Sequence, residues 1–345
     1  MMSLLNQNAP QEGRAKVLKI FWVVIRYVVP LAAIFYVVFS LARIPSDQLS
    51  FWRASLDWSF RAFFLIFLVL LLTFLNWLLE AMKWRRLARR FEQVSLKRAY
   101  AGVLYGISLG MVTPRRAGEF AGRVVVLRPE NQVQGMVINT AGSFTQFLVT
   151  LLLGHVGVAL AVLGKAASFE ASREGQLLLF SGIALVLSAL LVLYAKRILG
   201  WLGQKPWFPQ RLKIVEVIMT LTHKEMASLF SLSILRYVIF ITQFHLLLWL
   251  LGVQLRFYET FMVLSIIYLI MVGIPVSGLA EAGIRGSVAL LVFTLYLGDK
   301  LEGMPAVDLT IVSATLLLWL FNLALPGLLG AGLSLGGKLK PVEKS

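Results

Sequence analysis

Six uninterrupted apolar stretches, near residues 20–42, 60–82, 135–163, 177–195, 227–251 and 308–333, constrain this chain more than any other feature. Each is long enough to cross a hydrocarbon core of about 30 Å, which takes roughly 20 helical residues. Composition agrees: 59% of the residues are hydrophobic and only 14% charged, where a soluble domain carries about 25%. A soluble globular enzyme is therefore excluded. The expected fold class is an all-α integral membrane protein, a polytopic helical bundle forming a single transmembrane domain over 1–345. The first stretch contains Arg26 and Pro30 and ends near the small-x-small triplet Ser40-Leu41-Ala42. It is too long for a secretory signal core of about 7–15 residues and reads as an uncleaved span.

The basic residues sort to one side. Residues 1–19, 83–98, 196–224 and 338–345 carry surpluses of two, six, five and two positive charges, while 43–59 and 164–176 balance and 298–307 is slightly acidic. Almost all of the formal +16 thus falls on the same face, which the positive-inside rule makes cytoplasmic, with both termini. A basic total that would suggest nucleic acid in a soluble protein here orients the chain in a bilayer, and no nucleic-acid partner is expected. The stretch 83–98, with Trp84, Leu87 and Phe91 among arginines, is expected to lie on the inner surface as an amphipathic anchor.

Two apolar segments, 99–127 and 258–297, are broken. Charge parity requires each to leave and return on the same side, as a re-entrant hairpin or as two short spans. Broken backbone is tolerated at depth only where protein or water surrounds it. The two segments resemble each other. One reads Thr113-Pro114-Arg115-Arg116-Ala117-Gly118-Glu119-Phe120-Ala121-Gly122-Arg123, the other Ile274-Pro275-Val276-Ser277-Gly278-Leu279-Ala280-Glu281-Ala282-Gly283-Ile284-Arg285. Each has an apolar leg, a Pro, a Gly, then Glu and Arg four apart. With opposite sides of approach, this predicts an inverted repeat with halves 60–195 and 227–333, about eight or more helices in all, and a site at the repeat interface. Thr113 is expected to cap a helix opened by Pro114. The stripe Gly102, Gly106, Gly110 is expected to pack tightly against a neighbour, with Gly118 and Gly122 repeating the spacing.

Arg115, Arg116, Glu119, Arg123, Glu281 and Arg285 lie within or beside these apolar legs. Unpaired at mid-span, six such groups would cost on the order of 15–20 kcal/mol. Two readings stand side by side. In one, the arginines and helix N-termini face an anionic headgroup, which the planar guanidinium grips with two parallel hydrogen bonds. In the other, each Glu–Arg pair only locks its hairpin. Asn76, Glu80, Asn139, Gln146, Gln243 and Asn322 also fall in or near spans; for the amides interhelical hydrogen bonding is expected. His155 and His245 read as packing groups.

Absences narrow the chemistry. There is no cysteine, which excludes disulfides and thiolate-ligated metals. No G-x-x-x-x-G-K-[ST] motif occurs, so no P-loop ATP hydrolysis is expected. The four aspartates are too scattered for a D-x-D clamp and the three histidines for a metal site. No metal or cofactor is expected.

The run Asn76-Trp77-Leu78-Leu79-Glu80-Ala81-Met82-Lys83-Trp84, the 113–123 segment and Pro275-Val276-Ser277-Gly278-Leu279-Ala280-Glu281-Ala282-Gly283 resemble the lysylphosphatidylglycerol synthase transmembrane, or flippase-like, family over roughly residues 60–335. The resemblance implies a membrane domain that moves polar lipids between leaflets of the bacterial cytoplasmic (inner) membrane. Arg115 or Arg116, Glu119, Arg123 and Glu281 match its polar motif residues; Arg285 follows from the repeat instead. Two departures touch substrate identity. Glu119 and Arg123 are four apart where the family commonly has three, and Ala280 stands where it often has Arg. Its best-known members add a soluble aminoacyl-transferase domain; only about twelve residues follow the last stretch here, so lipid aminoacylation is not expected.

The expected function is a non-enzymatic, ATP-independent transporter or flippase for an amphiphile with an anionic or zwitterionic headgroup, its partners being membrane lipids. Glu119 and Glu281 would hold geometry or relay protons. An intramembrane lipid-modifying enzyme using Glu119 or Glu281 as general base, and a non-transporting partner in envelope assembly, are the alternatives.

Overall fold

Serine caps open the first two helices of the computed structural model, which describes residues 59–113, 116–165, 171–205, 219–274, 279–302 and 307–335. Ser59 Oγ accepts from the Ala62 N–H at 3.3 Å to start α1 (Phe60–Ala88), and Ser95 Oγ accepts from the Arg98 N–H at 3.3 Å to start α2 (Leu96–Val112). There follow α3 (Gly118–Val124), a 3-10 turn at Pro129–Asn131, α4 (Gln132–Lys165) and α5 (Ala171–Gly203). The second half holds α6 (His223–Leu250), α7 (Phe257–Gly273), α8 (Leu279–Leu301) and α9 (Val307–Trp319). A π-helical segment, Leu320–Ala324, then leads into α10 (Leu325–Leu335). Among the described residues every regular element is helical.

Four helices, Phe60–Ala88, Pro129–Gly164, His223–Leu250 and Val307–Leu335, are long and apolar enough to cross a membrane. Their outward faces carry large apolar side chains such as Phe60, Phe67 and Leu163, which in water would be a liability and in lipid are the ordinary surface. This is an all-helical membrane protein. Those four helices coincide with four of the six expected spans. The expected span at 20–42 lies outside the described residues, and the one at 177–195 falls within α5.

The two broken segments start alike and continue differently. Both α2 and α7 have 17 residues and end in an extended residue, Thr113 (φ −109°, ψ 142°) and Ile274 (φ −103°, ψ 109°). Each of these precedes a proline, which disfavours the helical region in its predecessor. The second legs differ: α3 has 7 residues, α8 has 23. The α2/α3 hairpin is welded at the backbone. A Cβ on Gly122 would stand 2.5 Å from the Gly106 Cα, and one on Gly106 2.8 Å from the Glu119 carbonyl oxygen. The small-residue stripe therefore packs against its own returning leg.

Packing then crosses between the halves. Helix α1 lies against α6, α2 against α10, and α7 against α4. Two glycine pairs make the last contacts close. Gly327 and Gly330 on α10 face Met111 and the Leu104 carbonyl of α2. Gly154 and Gly157 on α4 face Leu269 and Ser265 of α7, where a Cβ would stand 2.8 and 2.7 Å from those side chains.

The stretch 83–98 departs from expectation. It is the end of α1, a turn and the start of α2, and Lys83, Trp84, Leu87 and Ala88 are core rather than surface. The reason is the neighbours: α4, with Gly135 and Gly142 against Trp84 and Leu87, and α6 run alongside and cover this face. Arg90 ties the two ends together, its Nη2 meeting Glu225 Oε2 at 2.7 Å and its Nη1 donating to Thr220 Oγ1 at 2.8 Å.

Candidate functional site

Helical spacing puts Thr73, Asn76, Glu80 and Lys83 of α1 on one stripe, three or four residues apart, and all four are buried. Opposite them α6 presents Ser233, Arg236 and Gln243, also buried. The α2/α3 weld carries Arg123 inward from a third side, and Asn139 comes from α4. A fifth contribution depends on a helix irregularity. Pro326 has no N–H to offer the Asn322 carbonyl four residues back, so the ladder slips to i→i−5 at Leu325 N–H to Leu320 O. Asn322 lies in that π-helical turn, buried.

At the centre is Glu80, 3% exposed, with Lys83 at 1%, Arg123 at 4% and Arg236 at 7%. Its Oε1 accepts from Arg123 Nη1 at 2.5 Å, and its Oε2 meets Lys83 Nζ at 3.0 Å and also Arg236 Nη1. A chain of side-chain amides surrounds this core. Arg123 Nη1 donates to Asn139 Oδ1 at 2.9 Å, and Arg236 Nε to Asn76 Oδ1 at 2.9 Å. Asn76 Nδ2 donates to Asn322 Oδ1 at 3.1 Å, Asn322 Nδ2 to Gln243 Oε1 at 3.1 Å, and Gln243 Nε2 to Thr73 Oγ1 at 2.8 Å. The interhelical hydrogen bonding expected of the amides is thus present, and it links α1, α6 and the π-helical segment.

Glu119 sits at the rim, where Arg116 pairs with one carboxylate oxygen and Arg123 Nη2 approaches the other at 3.5 Å. The expected Glu119–Arg123 pair is therefore its weaker contact, because Glu80 lies closer to the same guanidinium. Arg116 holds a left-handed backbone, φ 55°, a conformation costing a non-glycine residue on the order of 1 kcal/mol. Thr113 is not the N-cap residue of α3, a place held by Ala117. It ends α2, with its hydroxyl donating to the Leu109 carbonyl and accepting from the Gly118 N–H, each at 2.8 Å, so that it staples the two legs together.

Of the six predicted site residues, the structure brings Arg116, Glu119 and Arg123 together. Arg115 and the Glu281 side chain lie outside the described residues. Arg285 stands apart on α8, its guanidinium carbon 5.8 Å from the Tyr268 ring centre. Tyr268 meets Phe240 edge-on at 6.2 Å, and Phe240 lies 6.0 Å beneath the Arg236 guanidinium. Two rings therefore separate Arg285 from the central cluster. His245 binds Thr260 Oγ1 at 2.9 Å and packs on Trp249 and Phe257, as a packing group should. Comparison with family models, curated proteins and solved structures finds no match.

Sequence reasoning missed Lys83 and Arg236. Both signals were available. Arg236 is the only charged residue between Glu225 and Arg256, and a lone ionisable group within a span is a functional candidate in its own right. Asn76, Glu80 and Lys83 share helical spacing, but Lys83 sits at the edge of a basic run that masks it.

The charge balance decides what this arrangement can do. Among the described residues three buried cations share one buried carboxylate, and the rim pair of Arg116 and Glu119 adds no net charge. Two hydrogen-bond donors in the cluster, Arg123 Nε and Asn139 Nδ2, are buried without a partner among the described residues. Surplus positive charge and unmet donors in an apolar surrounding favour an anion that accepts several hydrogen bonds at once.

Proposed function

We propose that this chain is a multi-pass transporter of flippase type for an amphiphile with an anionic or zwitterionic headgroup, working without ATP hydrolysis. The observation that carries the reading is the excess of Lys83, Arg123 and Arg236 over Glu80 in the membrane-buried core. A phosphate headgroup would offset that surplus and take up the spare donors. Both Glu80 and Glu119 are engaged by guanidinium groups, which favours transport over a lipid-modifying reaction needing a free carboxylate. The resemblance to the flippase-like family points the same way.

The packing supports two halves of opposite orientation. Exchanging α1 with α6, α2 with α7, and α4 with α9–α10 maps the α2/α10 seam onto the α7/α4 seam, glycine pair onto glycine pair. The basic ends of α1 and α6 would face the cytoplasm, and the network would bind near the interface of the halves, as in transporters built from inverted repeats.

A leaflet-sidedness assay tests this. Proteoliposomes carry a fluorescent phosphatidylglycerol or phosphatidylcholine, and an impermeant quencher reports how fast inner-leaflet label reaches the outside. The protein should accelerate exposure of at least one lipid. Arg123→Lys, which keeps the charge but loses the planar fork, should fold and lose most of the acceleration. Equal rates with and without protein for both lipids would refute transport.

A further inference from the structure

A second cationic site lies where α1 ends and α6 begins. A cavity of about 320 Å³ opens there, lined by Arg86, Arg89, Lys224, Glu225 and Ser228, with Leu87, Leu221 and Leu229 completing its walls. Arg86 is six residues beyond Glu80, about 9 Å along the helix axis, so this space is separate from the buried cluster.

Its charge is unbalanced in a specific way. Glu225 is the one carboxylate in the lining, and it is already spoken for: Arg90 Nη2 and Nε reach it at 2.7 and 3.1 Å, and it accepts from the Thr222 N–H in a capping box. Arg86, Arg89 and Lys224 have no ion-pair partner among the described residues, and all three are exposed. Ser228 Oγ is buried and has no hydrogen-bond partner among the described residues. A hydroxyl, two guanidinium forks and an ammonium beside three leucines make an amphipathic receptacle, polar at the mouth and apolar behind. Its volume is at the lower end of the roughly 300–1,000 Å³ usual for small-molecule pockets, and it lies at the ends of two helices long and apolar enough to cross a membrane.

We infer that this cavity binds the phosphate of an anionic phospholipid, with Arg86, Arg89 and Lys224 on the phosphate and the leucines against the adjoining glycerol and first methylenes. Two features favour a lipid over free phosphate: the apolar walls and the location at the end of two membrane-compatible helices. The inference does not depend on transport, since a resident lipid here would equally brace the α1/α6 junction.

The test uses the full-length protein in a neutral detergent and three probes: dihexanoyl phosphatidylglycerol, dihexanoyl phosphatidylcholine and inorganic phosphate. Native mass spectrometry reads the bound fraction across a titration. In an Arg123→Lys background, which disables the buried cluster, phosphatidylglycerol should saturate at one site, with phosphatidylcholine and inorganic phosphate each at least about tenfold weaker. Each of Arg86→Gln, Arg89→Gln and Lys224→Gln should weaken the anionic lipid about fivefold, the size expected for about 1 kcal/mol per basic residue. The triple variant should weaken it by more than tenfold, while Arg61→Gln at the opposite end of α1 should leave it unchanged. The single variants keep the test open should the triple variant fail to fold. Undiminished phosphatidylglycerol binding in folded variants would refute the site. Inorganic phosphate binding as tightly as the lipid would refute the lipid assignment.

Discussion

The hairpin α2/α3 and the pair α7/α8 begin with the same grammar and end in different surroundings. In the first, glycines at 102, 106 and 110 let the returning leg approach to backbone contact, and the charge of Arg123 is driven into the core. In the second, the corresponding places, about two, three and four turns along α7, are occupied by Val263, Ile267 and Met271. On α8 a Cβ on Gly283 would meet nothing within 4 Å, and the Arg285 guanidinium lies over the Tyr268 ring. The returning legs α3 and α8 therefore differ in how closely they approach at their glycines, and the small residues of α2 are what permit the closer approach.

Substitutions can break or sharpen that contrast, and thermal unfolding of the detergent-solubilised protein, followed by tryptophan fluorescence, reads them all. Glu80→Gln should have the largest effect, a loss of about 3–5 kcal/mol, because it strips the single buried carboxylate from three buried cations. Gly122→Val should cost about 1–3 kcal/mol by forcing a side chain onto the Gly106 backbone. Arg285→Gln takes the cation off the Tyr268 ring and should cost about 0.5–1 kcal/mol for that contact. Gly283→Ala should be the smallest and of opposite sign, a gain of about 0.4–1 kcal/mol from a stiffer unfolded chain. A Gly283→Ala variant as damaged as Gly122→Val would mean the two hairpins are equally sealed.

Much of this was legible in the sequence, for identifiable reasons. Helical spans are written in runs of apolar residues, and the four that meet the length criterion lie where those runs do. The breaks at Thr113 and Ile274 are written in the prolines that follow them. The glycine stripe announced close packing, although not that its partner would be the returning leg. What the sequence hid was the pairing of distant helices. Lys83 belongs by composition to a basic surface run and by contact to the core, and only the positions of α4 and α6 decide between them. Arg236 and Asn322 acquire their roles from neighbours more than 70 residues away. The register that brings Asn322 to Asn76 depends on a π-helical turn whose only local sign is Pro326. The Gly154/Gly157 and Gly327/Gly330 pairs could have been found by their spacing, but nothing local shows that they face one another's short helices.

The central claim is that two halves of opposite orientation meet at one buried cationic cluster, and the absence of cysteine makes its topology directly measurable. Single cysteines replace Lys97 and Tyr258, exposed residues in the first turns of α2 and α7, and a membrane-impermeant maleimide is applied to sealed vesicles of known sidedness. The account predicts that Lys97→Cys reacts only from the cytoplasmic side and Tyr258→Cys only from the opposite side. Reaction of both from the same side would contradict it.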